Sequence, residues 1–144
     1  MTTSTLEAGE FIDAGGDRTH YHEAGSGETI VFIHGSGPGV TRWANWRNAL
    51  PVFADRFHVL APDLLGFGFS ARPANVRYGK DVWVDHLRAF LRAKNIESCH
   101  LVGNSLGGAL TLALTVREPH LVDRIVLMGA VGVSFPITPG LAAV

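Results

Sequence analysis

The sequence predicts an α/β domain in which an antiparallel hairpin opens a sheet that continues with parallel strands and crossover helices. Three observations carry this. Residues 10–14 and 18–24 read as two strands about Gly15-Gly16-Asp17, a hairpin signal. Short apolar runs at 29–33, 57–61, 99–102 and 124–128 then alternate with segments of helical period, the pattern of βα units. Finally, Gly103-Asn-Ser-Leu-Gly107 stands between one such run and a helix-like stretch. That placement reads as a strained strand-to-helix turn presenting a serine hydroxyl at the C-terminal edge of a parallel sheet.

The chain has 144 residues, enough for one domain with a core. It is 47% hydrophobic and 17% charged, which excludes disorder. A net charge of -1 without a Lys/Arg run gives no case for nucleic acid or a membrane surface. The single cysteine, Cys99, excludes a disulfide framework and a multi-cysteine metal site, and its strand position predicts a buried thiol. No signal peptide or membrane span is expected, so a cytoplasmic enzyme is the default reading.

Taken in order, Thr29-Ile-Val-Phe-Ile33 is β-branched and apolar throughout, as in a strand covered on both faces. It ends in His34-Gly-Ser-Gly-Pro-Gly39, too glycine-rich for a helix. Trp43, Trp46, Leu50 and Phe53 recur at helical spacing, predicting a helix over 41–53 that is interrupted or ended near Pro51. The strand at 57–61 is closed by Pro62-Asp63 and a Gly/Phe-rich loop through Ser70. From Lys80 to Lys94, Trp83, Leu87, Phe90 and Leu91 share one helical face, opposite Asp85, Arg88 and Arg92, and Asn95 is placed to cap the end. The strand at 99–102, the elbow, a helix over 106–117 and the strand at 124–128 follow.

Serine chemistry on an acyl carbon creates an oxyanion, which needs two preorganised N–H donors. One is expected from the residue after the nucleophile, Leu106, at a helix N-terminus. The other is expected from the glycine-rich loop after an earlier strand, around Ser36 and Gly37. A phosphate cradle is the competing reading of that loop, but it lacks Gly-Lys-Ser/Thr and dinucleotide spacing. His34 reads as a histidine bonding nearby backbone, and Asp63 as the tie of its own loop. Trp43, Trp46 and Trp83 read as core. Asn45 and Asn104 lie beside the inferred cleft, where capping or turn roles compete with ligand contact.

A serine nucleophile also needs a base and a group that orients it, in the order Ser, Asp/Glu, His. After Ser105 the chain offers Glu118, His120 and Asp123. A dozen-residue helix carries these about 18 Å away, so they cannot form the triad. His58, His86 and His100 break the order. The expectation is a single incomplete core domain, 1–144, without a lid or the C-terminal part that completes the triad.

Several stretches resemble the α/β-hydrolase superfamily, and within it the meta-cleavage product hydrolases. They are His34-Gly-Ser-Gly-Pro-Gly-Val-Thr41 with Trp43-Ala-Asn-Trp-Arg47, Ala61-Pro-Asp-Leu-Leu-Gly-Phe-Gly-Phe-Ser70, Trp83-Val-Asp-His86, Val102-Gly-Asn-Ser-Leu-Gly-Gly108, and the run from Leu127 to Thr138. The 2-hydroxymuconic semialdehyde hydrolase group is the most similar. The resemblance implies hydrolysis of a carbon–carbon bond in a 2-hydroxy-6-oxo-hexa-2,4-dienoate made by ring-cleaving dioxygenases. Ser105 would be the nucleophile, the Ser36, Gly37 and Leu106 amides the oxyanion hole, and Asn45 and Asn104 contacts to the polar end of the dienoate. It also implies no metal or organic cofactor, and a full-length protein that forms homo-oligomers. Two alternatives remain: a carboxylesterase on the same fold, and a non-catalytic truncated chain that binds a ligand or partner.

Overall fold

A computed structural model describes residues 8–132. The run from Leu127 to Thr138 therefore lies partly outside the described residues. Ten elements follow one another: β1 (Glu10–Ala14), β2 (Asp17–Ala24), β3 (Thr29–Ile33), α1 (Arg42–Trp46), α2 (Leu50–Ala54), β4 (His58–Pro62), α3 (Lys80–Ala93), β5 (Cys99–Asn104), α4 (Leu106–Arg117) and β6 (Val122–Met128).

The strands form one sheet in the order β1-β2-β4-β3-β5-β6. β1 pairs antiparallel with β2, and β2 antiparallel with β4. β3 then pairs in parallel with both β4 and β5, and β5 with β6. Chain order thus reverses beside β3, with β4 on one flank and β5 on the other. In α/β sheets the C-terminal edge beside such a reversal is where the ligand crevice forms, and here that edge carries the loops leaving β3 and β5.

Because side chains alternate along a strand, β3 feeds two cores. Val31 and Ile33 pack with Leu87, Phe90, Leu91, Leu110 and Leu114 of α3 and α4. Ile30 and Phe32 pack with Trp46 and Leu50 of α1 and α2 on the other face. β5 alternates more sharply than its apolar sequence implies: Cys99, Leu101 and Gly103 are buried, His100, Val102 and Asn104 half-buried. β6 is an edge of the sheet in the described residues, and Ile125, Val126, Leu127 and Met128 are exposed along it.

The helix expected over 41–53 is two helices. The break falls at residues 47–49, and Pro51 lies in the first turn of α2, where a missing N–H leaves no bond unmade. Strand ends also shift: β4 begins at His58, β5 runs on to Asn104, and β6 starts at Val122. Asn95 does close α3. Its φ of 57° is left-handed. The Asn95 amide donates to Arg92 O (3.0 Å) and that of Ile96 to Leu91 O (2.9 Å), a Schellman closure. The buried face of α3 comprises Val84, His86, Leu87, Phe90 and Leu91, while Trp83 sits half-buried at its margin.

Buried histidines give the fold a pH dependence, His86 and His22 among them. His86 contacts Thr19 Oγ1 through Nε2 (2.8 Å). Burial lowers its pKa to about 4. Burial, with the positive charge of Arg42 and the neighbouring His20, lowers that of His22 to about 4 as well, against the pull of Asp63. Both are held neutral in the fold, whereas the unfolded chain takes up protons near 6.5. Their stabilisation is complete above that pH and is lost as pH falls toward 4, at no more than about 1.4 kcal/mol per pH unit for each histidine. Urea unfolding at pH 7 and pH 5 should show this loss, and His86→Gln should reduce the slope. Equal midpoints at both pH values would contradict it.

Candidate active site

Ser105 stands between the last residue of β5 and the first of α4 with φ 54° and ψ -114°. A non-glycine residue in that region stores on the order of 1–3 kcal/mol and persists only where its surroundings fix it. Here three glycines allow the fixing. A Cβ on Gly103 would enter Gly107 O and Thr111 Oγ1, and one on Gly107 would enter Ile33 O and stand 2.7 Å from His34 O. A Cβ on Gly108 would stand 2.5 Å from that of Ala130. The Ser105 amide donates to Met128 O (2.9 Å), and Ser105 O accepts from Gly108 (2.9 Å) and Val131 (3.2 Å). The elbow is thus clasped by the end of β6 and the turn after it.

The loop that follows β3 passes directly against the elbow. A Cβ on Gly35 would lie 3.3 Å from Ser105 Cβ and 3.3 Å from Asn104 O. The Gly35 amide donates to Asn45 Oδ1 (2.9 Å), which also accepts from Asn104 Nδ2 (3.2 Å). Asn45 therefore bridges the loop to the elbow. Ser36 and Gly37 are exposed, and Gly37 has φ 132°. Among the described residues the amides of Ser36, Gly37 and Leu106 meet no backbone acceptor. The structure brings Ser105, Leu106, Asn104, Gly35 and Asn45 to one place, and Ser36 and Gly37 follow Gly35 out of it.

His34 is buried and turned away into the backbone. Its Nε2 accepts from the Leu64 amide (2.9 Å), which places the proton on Nδ1, donating to Gly35 O (2.7 Å). Burial lowers its pKa, against the backbone bond to Gly35. Asp63 ties its own loop: its carbonyl accepts from Ser70 Oγ (2.7 Å) and Oδ2 accepts from the Phe69 amide (3.1 Å). Asp63 does more than its sequence position signals. Its carboxylate also accepts from the Arg42 amide (2.9 Å) and from the Arg42 guanidinium. Arg42 is 1% exposed and Asp63 0%. Arg42, next to Trp43 at a helix start, carries no local sign of burial, because its partners lie about twenty residues away on either side.

Trp46 is core, Trp43 is half-buried and stacks on His22 with ring centroids 4.9 Å apart, and Trp83 donates from Nε1 to Leu65 O (2.9 Å). Burial pushes the Cys99 thiol up to about 12, so it stays protonated and inert. Histidines outside the crevice have other partners: His58 contacts Glu23 (2.6 Å) and Thr29 (2.9 Å), and His100 lies 3.5 Å from Asp123. Glu118 and His120 follow the far end of α4, 3.5 Å from each other. Among the described residues the Ser105 hydroxyl has no histidine partner. No helix in them is long and apolar enough to cross a membrane.

The family described as alpha/beta hydrolase fold matches residues 28–142. The 2-hydroxymuconate semialdehyde hydrolase of Pseudomonas sp. strain CF600 is 56% identical over 138 residues, 96% of this chain and 49% of that protein. The 2-hydroxy-6-oxo-2,4-heptadienoate hydrolase of Pseudomonas putida is 52% identical over all of this chain and 52% of its own length. A meta-cleavage product hydrolase from Pseudomonas fluorescens IP01 superposes with a TM-score of 0.89 at 49% identity, over 96% of this chain and 51% of that one. The chain spans about half the length of the curated relatives it matches. With its mixed sheet, its glycine-packed serine turn and this match over most of its length, the chain belongs to the alpha/beta hydrolase fold family.

Proposed function

We propose that the whole protein carrying this chain hydrolyses a carbon–carbon bond in 2-hydroxy-6-oxo-hexa-2,4-dienoate-type ring-fission products, with Ser105 as nucleophile. The observation that carries the reading is Ser105 itself, held at φ 54° with the Gly35 loop against its Cβ. The names of the relatives at 56% and 52% identity support the substrate class.

In this reading the dienol first becomes its keto tautomer. Ser105 Oγ attacks the distal carbonyl, and the negative charge growing on that oxygen falls between the Leu106 amide and those of Ser36 and Gly37. Leu106 opens a twelve-residue helix, so its amide is unpaired within the helix and backed by the helix dipole. The bond to the dienoate carbon breaks, releasing 2-hydroxypentadienoate, and water then frees the second product as a carboxylic acid. Asn104 and Asn45 face the polar end of the dienoate; because Asn45 Oδ1 already accepts two bonds, Asn45 has its Nδ2 left for a ligand. The proton of Ser105 goes to a base that the described residues do not place there. The chemistry needs no metal or organic cofactor. The whole protein is read as a cytoplasmic homo-oligomer.

An esterase on the same scaffold would use the same serine. Offering the full-length protein a ring-fission dienoate and a p-nitrophenyl ester separates the two. The expected outcome is a kcat/KM for the dienoate at least about a hundredfold higher, equivalent to about 2.7 kcal/mol of transition-state preference. Turnover of the ester alone would overturn the carbon–carbon reading.

A further inference from the structure

Among the described residues, the loop carrying Ser36 and Gly37 is held near its ends, where the Gly35 amide also donates to Asn45 Oδ1 (2.9 Å). At its start, His34 Nε2 accepts from the Leu64 amide (2.9 Å). At its end, Asp63 takes the Arg42 amide (2.9 Å) and the Arg42 guanidinium. Two consecutive residues behind β4 thus fix both ends of the loop behind β3. Between them residues 36–39 are exposed, Gly37 and Gly39 have φ of 132° and 75°, and the internal backbone bond is that from Val40 to Gly37 O (3.2 Å). Such a span takes its position from its anchors.

The anchor at Arg42 is made of several buried contacts. The guanidinium reaches Asp63 with one nitrogen while Nε donates to His22 Nδ1 (2.7 Å). Its remaining nitrogen lies 3.3 Å from His20 Nε2. His20 and His22 both belong to β2, so the fork ties the loop to the sheet as well as to β4. Every one of these side chains is buried. A planar fork holds Asp63 and His22 in fixed directions, whereas an ammonium group is a point charge on a flexible stem with no such fixed geometry.

We propose that Arg42 is a positioning residue for the oxyanion loop, setting through Asp63 and His22 where the Ser36 and Gly37 amides stand relative to Ser105. The inference rests on the serine reading above. A shift of about 1 Å in preorganised donors lowers turnover by as much as about a hundredfold while ground-state binding is spared.

The test compares Arg42→Lys, and Arg42→Met combined with Asp63→Asn, in the full-length protein. The double variant removes both charges together, so no buried ion is stranded. Both are expected to fold by circular dichroism, with kcat for the dienoate lowered about 10- to 100-fold and KM within about threefold of wild type. Affinity for an alkyl boronate, a tetrahedral mimic, should fall in parallel with kcat. Wild-type kcat in either folded variant overturns the proposal, as does a loss carried by KM alone. A double variant that does not fold also overturns it, because the pair would then serve folding rather than loop placement. Ser105→Ala is the control: if it retains turnover, the serine reading fails and takes this inference with it. If Ser105→Ala is inactive and the Arg42 variants match wild type, the inference alone fails.

Discussion

Gly107→Ala is expected to destabilise the fold by about 3 kcal/mol or more. The added carbon would enter the carbonyl oxygen of Ile33 and stand 2.7 Å from that of His34. Both are backbone atoms at the end of a central strand, and Ile33 is also paired with Gly103 across β3 and β5. Nothing there can swing aside as a side chain would, so α4 has to lift off the sheet. Moving α4 also moves Leu106 and the turn at Ser105, and activity should fall with stability. Gly16→Ala is the comparison: that glycine has φ 99° but nothing within 4 Å of an added Cβ. There the penalty is backbone strain alone, on the order of 1 kcal/mol. Denaturant unfolding of the two variants side by side reads the difference; equal losses would contradict the close approach of α4 to β3.

Ser105→Gly should separate stability from activity in the opposite sense. At φ 54° and ψ -114° a serine is strained and a glycine is not. Removing the Cβ is expected to stabilise the protein by roughly 1 kcal/mol, while the loss of the hydroxyl removes the nucleophile. Ser105→Ala keeps the strain and loses the same hydroxyl. Both variants should fall at least about four orders of magnitude in kcat, since little remains of a serine mechanism without its nucleophile. Thermal unfolding should rank Ser105→Gly above both wild type and Ser105→Ala. A lower midpoint for the glycine variant would show that the turn is unstrained and that its conformation carries no functional meaning.

Much of this crevice was legible in the residues, and what was not has a physical reason. The elbow announces itself because its glycines and its strand-to-helix change of period are contiguous in sequence. Asn95 was legible for the same reason: a left-handed cap is a local event. The neighbours of β3 were not legible. Hydrophobic runs report burial, but which strands flank β3 is set by where the crossovers land. That order, β4-β3-β5, is what lays the Gly35 loop against Ser105. Pro51 reads as a stop signal although it helps to start α2, because proline is excluded from helix interiors and welcome in first turns. Arg42 escaped altogether. A charged residue beside a tryptophan at a helix start reads as surface, and only the fold brings Asp63, His20 and His22 around it. His22 and His86 likewise look like ordinary strand and helix residues until their burial is seen.

The carbon–carbon reading and the role of Ser105 meet in one assay. The full-length protein and its Ser105→Ala variant are each given a yellow ring-fission dienoate, and the loss of visible absorbance is followed together with the acids formed. Wild type should bleach the substrate and release 2-hydroxypentadienoate and a carboxylic acid in equal amounts, while Ser105→Ala leaves the colour unchanged. Bleaching by Ser105→Ala at a rate near that of wild type would contradict the account.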